Sequence, residues 1–268
     1  MPDKITIIFF GDVVGSIGRR GVKNILPLWQ KKYKPDLVIA NIENLAHGSG
    51  LTTKTVADIQ TTGIGVYTGG NHTWRKEDLA NFVDLKIATP INDAHTITEH
   101  RWQEIEIKKT KIAVVSVLGE GMMKDETITN PFLAIRDMLP EIHDHLILVD
   151  IHAELTSEKK AMGFFLDGQV AVVMGTHTHV PTADAQILPS GTGYITDVGM
   201  VGAYPSVIGI DKEVIIEKFL TDSPINHEIP MASQIEINAL LLEVDIKSKK
   251  TTKIKHLREI ISAQGGAA

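Results

Sequence analysis

The sequence predicts an α/β fold on three observations. Short runs rich in Ile, Val and Leu recur along its 268 residues, amphipathic segments separate several of them, and five of the runs end in clusters of Asp, Glu, Asn or His. Alternation of buried strands with helices marks a layered α/β architecture. In open α/β sheets, ligands bind beyond the carboxyl ends of the strands, where such clusters would sit.

The first strand is expected over residues 5–10, an almost wholly apolar run cut off by Gly11-Asp12. A helix over 19–32 leads to a second strand at 37–40, and a helix over 52–62 to a third at 63–68. A short helix is expected over 76–81. Residues 102–108 differ, because Glu104 and Glu106 alternate with Gln103, Ile105 and Ile107. One face there is wet, which predicts an antiparallel hairpin with a strand at 112–118 across residues 109–111. Helices over 131–139, 157–166 and 212–220 then alternate with strands at 146–150, 170–174 and 240–244. The preferred partition is one domain over 1–268, with a small excursion at 202–231 interrupted by Pro205, Pro224 and Pro230 and serving as a lid or an oligomer contact.

Composition excludes several classes of function. With 27 Lys and Arg against 33 Asp and Glu, the net charge of −6 provides no basic field, so general nucleic-acid binding is not expected. There is no cysteine, which removes disulfides, thiolate ligands and a thiol nucleophile together. No apolar stretch approaches the roughly 20 residues that span a bilayer, and the run at 5–10 is too short for a secretory core. A cytoplasmic protein without a membrane partner is expected. Signatures of other chemistries are missing: there is no Cys pair for a zinc deaminase, no His-Glu-x-x-His, no Gly-x-Gly-x-x-Gly and no Gly-x-Ser-x-Gly.

The strand-end clusters carry the chemistry. They are Gly11-Asp12; Asn41-Ile42-Glu43-Asn44; Gly69-Gly70-Asn71-His72; Asp150-Ile151-His152-Ala153-Glu154; and Gly175-Thr176-His177-Thr178-His179. Any one of them reads equally as a turn or helix cap, but convergence on one rim explains all five together. Carboxylate, amide and imidazole donors without thiolate suit manganese, iron or zinc. His177 and His179, one residue apart, can serve two neighbouring ions or one. The donors exceed what one tetrahedral site requires, so two ions are the economical reading.

In their order along the chain, these motifs resemble those of the calcineurin-like metallophosphoesterases. The strings Gly11-Asp12-Val13-Val14-Gly15, Asn71-His72-Thr73-Trp74, Asp150-Ile151-His152-Ala153-Glu154 and Thr196-Asp197-Val198-Gly199-Met200 resemble the bacterial YmdB-like branch. The resemblance spans nearly the whole chain. It implies a four-layer α/β/β/α sandwich and a phosphodiesterase acting on 2′,3′-cyclic nucleotides. It further implies a dinuclear centre of divalent or mixed-valence iron, manganese or zinc. In that scheme Asp12 and His179 hold the first ion, Asn71, His152 and His177 hold the second, and Glu43 bridges both. Asn44 would add an amide oxygen near the first ion.

The reaction implied is in-line attack on phosphorus by a hydroxide held between the cations, with His72 assisting the leaving oxygen. Two positions depart from the wider superfamily: Val14 stands where many members have His, and the bridging acid is Glu43 where Asp is usual. A phosphomonoesterase with the same centre, or a low-turnover regulatory protein linked to nucleotide or RNA, are the competing readings. Glu154 reads as a supporting or helix-start residue, Asp150 and Asp197 as imidazole supports or turn caps, and His47 as a substrate contact or surface residue. The remaining histidines, including His100 and His145, are expected at the surface or at strand edges.

Overall fold

Side chains that alternate between two faces of each strand generate the architecture. The structure, a computed structural model, describes residues 3–77, 79–123, 127–221, 229–230 and 232–264. In chain order its elements are β1 (Lys4–Phe10), β2 (Asp12–Val13), α1 (Gly15–Tyr33), β3 (Leu37–Asn41), α2 (Thr53–Gln60), β4 (Val66–Thr68), β5 (Ile87–Ala88), β6 (Trp102–Ile107) and β7 (Thr110–Leu118). There follow α3 (Pro131–Met138), β8 (Leu146–His152), α4 (Thr156–Phe165), β9 (Val172–Thr176), β10 (Gln186–Ile187), β11 (Gly193–Ile195), β12 (Met200–Tyr204), α5 (Lys212–Thr221), β13 (Gln234–Asp245) and β14 (Thr251–Ser262).

Two sheets result. One runs β2-β12-β13-β1-β3-β4-β5, with β14 added on β13, and the other runs β10-β11-β9-β8-β7-β6. Strands β1, β3, β4 and β5 are mutually parallel, as are β7, β8, β9 and β11. Ile5, Ile7 and Phe9 of β1 join Leu240 and Leu242 of β13, and Ile112, Leu146, Leu148 and Val172 of the second sheet, in one buried cluster. The intervening Ile8 and Phe10 face the other way, toward Ile25, Leu26 and Trp29 of α1 and Val56 of α2. On the far side, Val115, Ile147, Val149 and Val173 pack with Ile135 and Met162 of α3 and α4. Three apolar layers between four structural layers make this the α/β/β/α sandwich expected.

Most elements lie where the sequence places them, with instructive exceptions. Helix α1 begins at Gly15, whose φ of 60° admits the turn out of β2. The hairpin turn is two residues, Lys108 and Lys109 at positive φ, so that Ile107 pairs with Thr110. The helix expected at 76–81 is replaced, in its described part, by turns and a single 3-10 turn over Leu79–Phe82. Glu77 is engaged elsewhere: its carboxylate accepts from the Thr53 amide at 3.0 Å and the Thr53 hydroxyl at 2.7 Å, at the start of α2. His100 and His145 are buried rather than superficial. Of residues 202–231, 202–204 complete β12, 212–221 form α5, and 222–228 and 231 lie outside the described residues.

Because Leu148 is fully buried between the sheets, Leu148→Ala should lower unfolding free energy by about 2–5 kcal/mol in chemical denaturation. Leu133, half-exposed on α3, should tolerate Ala with a change of about 0.5 kcal/mol or less. Equal losses at both positions would contradict the layer assignment.

Candidate active site

The parallel strands of both sheets end on one rim, and all eight residues singled out from the sequence meet there. Asp12 follows β1, Glu43 and Asn44 follow β3, and Asn71 and His72 follow β4. From the second sheet, His152 ends β8 and pairs in register with Thr176 of β9, after which come His177 and His179. Gly70 permits the approach, since a Cβ there would collide with the Glu43 carboxylate and the His152 ring. Asp12, Glu43, Asn44 and His152 are buried, whereas the other four are partly exposed.

The donors form two adjoining groups. In one, His152 Nε2 stands 3.1 Å from Asn71 Oδ1, 3.1 Å from His177 Nδ1 and 3.2 Å from Glu43 Oε1. In the other, Asp12 Oδ1 is buried without a hydrogen-bond partner, and His179 Nε2 is 3.8 Å from it. Bonds of about 2.0–2.2 Å to a transition metal place neighbouring donors roughly 3–4 Å apart, so Glu43, His152 and His177 could hold a cation, and Asp12 and His179 offer a further pair of donors at such a spacing. An orphaned buried carboxylate oxygen facing an imidazole nitrogen is also what a missing cation would explain. Asn44 is turned differently from the expectation. Its Oδ1 faces His72 Nδ1 at 2.8 Å, while its Nδ2 donates to Glu43 Oε1 at 3.0 Å and lies 3.3 Å from His179 Nε2. In this orientation it holds His72 and offers no oxygen to the first group.

A hydrogen-bond chain sets the tautomer of His152. The Thr176 hydroxyl donates to Asp150 Oδ1 at 2.6 Å, so its oxygen is left to accept from His152 Nδ1 at 2.8 Å. With the proton on Nδ1, Nε2 keeps its lone pair for a metal. Asn41 Nδ2 and the Thr68 hydroxyl donate to the other Asp150 oxygen, at 3.1 and 2.5 Å. Asn41 and Thr176 lie inside strand-end clusters read from the sequence, but nothing there marks them, or Thr68, as partners of Asp150.

Asp197 supports the His-x-His segment. Its Oδ2 accepts from the Thr178 hydroxyl at 2.7 Å, the Thr178 amide at 3.2 Å and the Lys159 ammonium of α4 at 2.6 Å. Its Oδ1 accepts from Gly199 N at 2.8 Å, and the Gly199 carbonyl accepts from Asp12 N at 3.1 Å. His177 and His179 both adopt positive φ, 94° and 64°. Such backbone costs about 1–3 kcal/mol per residue and persists only when its surroundings over-determine it. Lys159, fully buried, had no sequence signal.

The electrostatics are those of a tight, largely buried cluster. Burial opposes ionisation of Glu43, yet the His152 and His72 rings hold its carboxyl below the usual range. Burial also disfavours the charged form of His152, but Glu43, Asp12 and Asp150 outweigh it and raise the ring to about 9. Burial and the neighbouring His152 push His177 down to about 3. Burial raises Asp12, and raises Asp150 to about 6. The cluster opens into a cavity of about 470 Å³ whose walls include Glu43, His72, His177, His179, His47 and Ile208. Glu154, nearly half-exposed on that wall, places Oε2 3.2 Å from His177 Nε2.

Comparison with known proteins places the chain in a family. A family model described as YmdB-like protein matches residues 8–257. The 2′,3′-cyclic-nucleotide 2′-phosphodiesterase of Bacillus subtilis (strain 168) is 38% identical over 255 residues, covering 94% of this chain and 96% of its own. A crystal structure described as a novel phosphatase of Mycoplasma pneumoniae superposes with a TM-score of 0.91 at 38% identity, covering 98% of this chain and 95% of the other. The calcineurin-like phosphoesterase YfkN from Bacillus subtilis shares the fold at a TM-score of 0.55 and 9% identity, covering 99% of this chain and 92% of the other.

Lys159→Met leaves Asp197 buried without its counter-charge, and should destabilise the protein by about 3–5 kcal/mol in denaturant titration. A second expectation concerns pH. The folded, metal-free protein holds the His152 proton more tightly than the unfolded chain does. This contribution to stability is therefore complete below pH about 6.5 and is lost as pH rises through about 9. The metal-free denaturation midpoint should fall across that window. Cation binding needs a neutral imidazole, so the stabilisation conferred by added divalent metal should grow over the same range. A flat metal-free midpoint would refute the proton assignment.

Proposed function

Because the chain belongs to the YmdB-like family, and with it to the metal-dependent phosphoric ester hydrolases, we propose that it is a dinuclear phosphodiesterase opening 2′,3′-cyclic nucleotides. One observation carries the dinuclear reading: Glu43 adjoins the Asn71–His152–His177 group while its neighbour Asn44 contacts His179, the partner of Asp12. In this reading Asp12 and His179 would hold one ion, Asn71, His152 and His177 would hold the other, and Glu43 would serve both. Iron, manganese and zinc all suit such donors. When bound, these ions supply Lewis acidity, which neutralises phosphoryl charge and makes water a nucleophile near neutral pH.

The protein's own groups define the rest. Water adds its oxygen to phosphorus, the bond from phosphorus to O2′ breaks, and O2′ takes a proton, giving a nucleoside 3′-phosphate. His72, on the wall of the cavity, meets that leaving oxygen. Asn44 Oδ1 accepts from His72 Nδ1 and leaves Nε2 for the substrate. Delivering a proton from Nε2 requires the doubly protonated ring; burial lowers the His72 ring below its usual value, and Glu43, 3.4 Å away, offsets that only in part.

Glu154 on the wall supports a diester over a monoester. A half-exposed carboxylate repels a dianionic phosphomonoester more than a monoanionic diester. The cavity of about 470 Å³ matches a nucleotide-sized ligand.

His72→Ala should lower kcat by about 10²–10⁴-fold, while elemental analysis finds most of the metal retained. Loss of the metal, or full turnover, would remove His72 from that role. For the reading as a whole, protein of known metal content should turn over 2′,3′-cyclic nucleotides well above nucleoside monophosphates and aryl phosphates. The opposite order would make it a phosphomonoesterase.

A further inference from the structure

A two-residue turn beside the metal-ligand cluster has the wrong residue for its own stability. Val207 and Ile210 exchange backbone hydrogen bonds of 2.9 Å each way, and between them Ile208 and Gly209 both lie at positive φ, 50° and 96°. Turns of that class favour Asn-Gly, because a β-branched side chain is crowded at positive φ. Among the described residues at positive φ, Ile208 is the only β-branched one.

Two contacts fix where this strained residue sits. Its carbonyl oxygen accepts from His179 Nδ1 at 2.8 Å, which ties the turn to the cluster. Its side chain, 45% exposed, borders the same cavity as Glu43, His72 and His177. Val14, Ile210 and Ile229 border that cavity as well. The donor cluster supplies polar members of the wall, and these four residues contribute no polar side-chain atom.

We propose that Ile208, with Val14, Ile210 and Ile229, forms the subsite for the nucleobase of the substrate, an apolar wall that holds any of the four bases without reading its edge. The inference rests on the cyclic-nucleotide reading above. A planar base presents an apolar face to such a wall, while the cyclic phosphate occupies the donor cluster. Strain at Ile208 persists because the side chain it presents is worth more to binding than Asn would be to the turn. A wall of this kind discriminates weakly among ligands of similar shape.

The test compares kcat/KM for the 2′,3′-cyclic phosphates of adenosine, guanosine, cytidine and uridine with that for the base-free cyclic phosphate of ethane-1,2-diol. The parent protein should treat the four nucleotides within a factor of about three and prefer all of them to the base-free ester. In Ile208→Gly, and likewise in Ile208→Asn, that preference should shrink about tenfold, chiefly through KM. Both variants suit positive φ and keep the carbonyl that meets His179, so they should melt no lower than the parent. An unchanged preference in folded variants that still open cyclic nucleotides overturns the subsite and leaves the functional reading standing. A parent protein that opens no cyclic nucleotide overturns both.

Discussion

The carboxylate of Asp150 joins the two sheets directly beneath the cluster. It belongs to β8 of one sheet and receives hydrogen bonds from Asn41 and Thr68 of the other and from Thr176 of neighbouring β9. Such a group in an apolar interior is expensive unless fully satisfied, and burial already raises it to about 6. Its three donors make it tolerable, and they also fix the spacing of the sheets where β3, β4, β8 and β9 end. Through Thr176 the same carboxylate selects the proton position on His152. One buried acid thus couples the packing of the sandwich to the chemistry at its rim.

A second buried acid solves a different problem. The His177 ring lies against His152 and the His179 ring toward Asp12, although one residue separates them. The chain leaves β9 and takes up positive φ at both histidines. Thr178 between them is held to Asp197, whose charge is balanced by Lys159. Buried ion pairs are weak contributors to net stability, so this one is better understood as holding a backbone that would otherwise relax. The same Asp197 reaches Asp12 through Gly199, which ties the two ends of the first donor group to one anchor.

How much of this was legible in the sequence depended on whether a residue's role left a local pattern. Strands β1, β7, β8 and β9 are buried on both faces and stand out as apolar runs. Strand β14 does not, because charged Lys253, Lys255, Arg258 and Glu259 interrupt it along the edge of its sheet. Strand β13 was legible only in its apolar C-terminal part, residues 240–244, since Gln234 and Glu236 interrupt the pattern nearer its start. Donors were legible because Asp, Asn and His after an apolar run are conspicuous. Their supports were not: Thr68, Thr176 and Lys159 are ordinary strand and helix residues until the sheets bring them to Asp150 and Asp197. The orientation of Asn44 was likewise beyond reach, since it follows from where the His72 ring comes to rest.

The two departures from the wider superfamily pattern are connected by geometry. Val14 stands where the resemblance to the wider superfamily would place an imidazole, and it borders the cavity beside the turn, its Cγ1 3.1 Å from where a Cβ on Gly209 would lie. A valine there adds apolar surface to the wall that also includes Ile208, Ile210 and Ile229. Glu43, one methylene longer than Asp, spans more of the space between the groups: Oε1 reaches His152 Nε2, and Oε2 accepts from the His72 amide at 2.7 Å. The longer acid thus orders the segment that carries His72 and stays in contact with the second group.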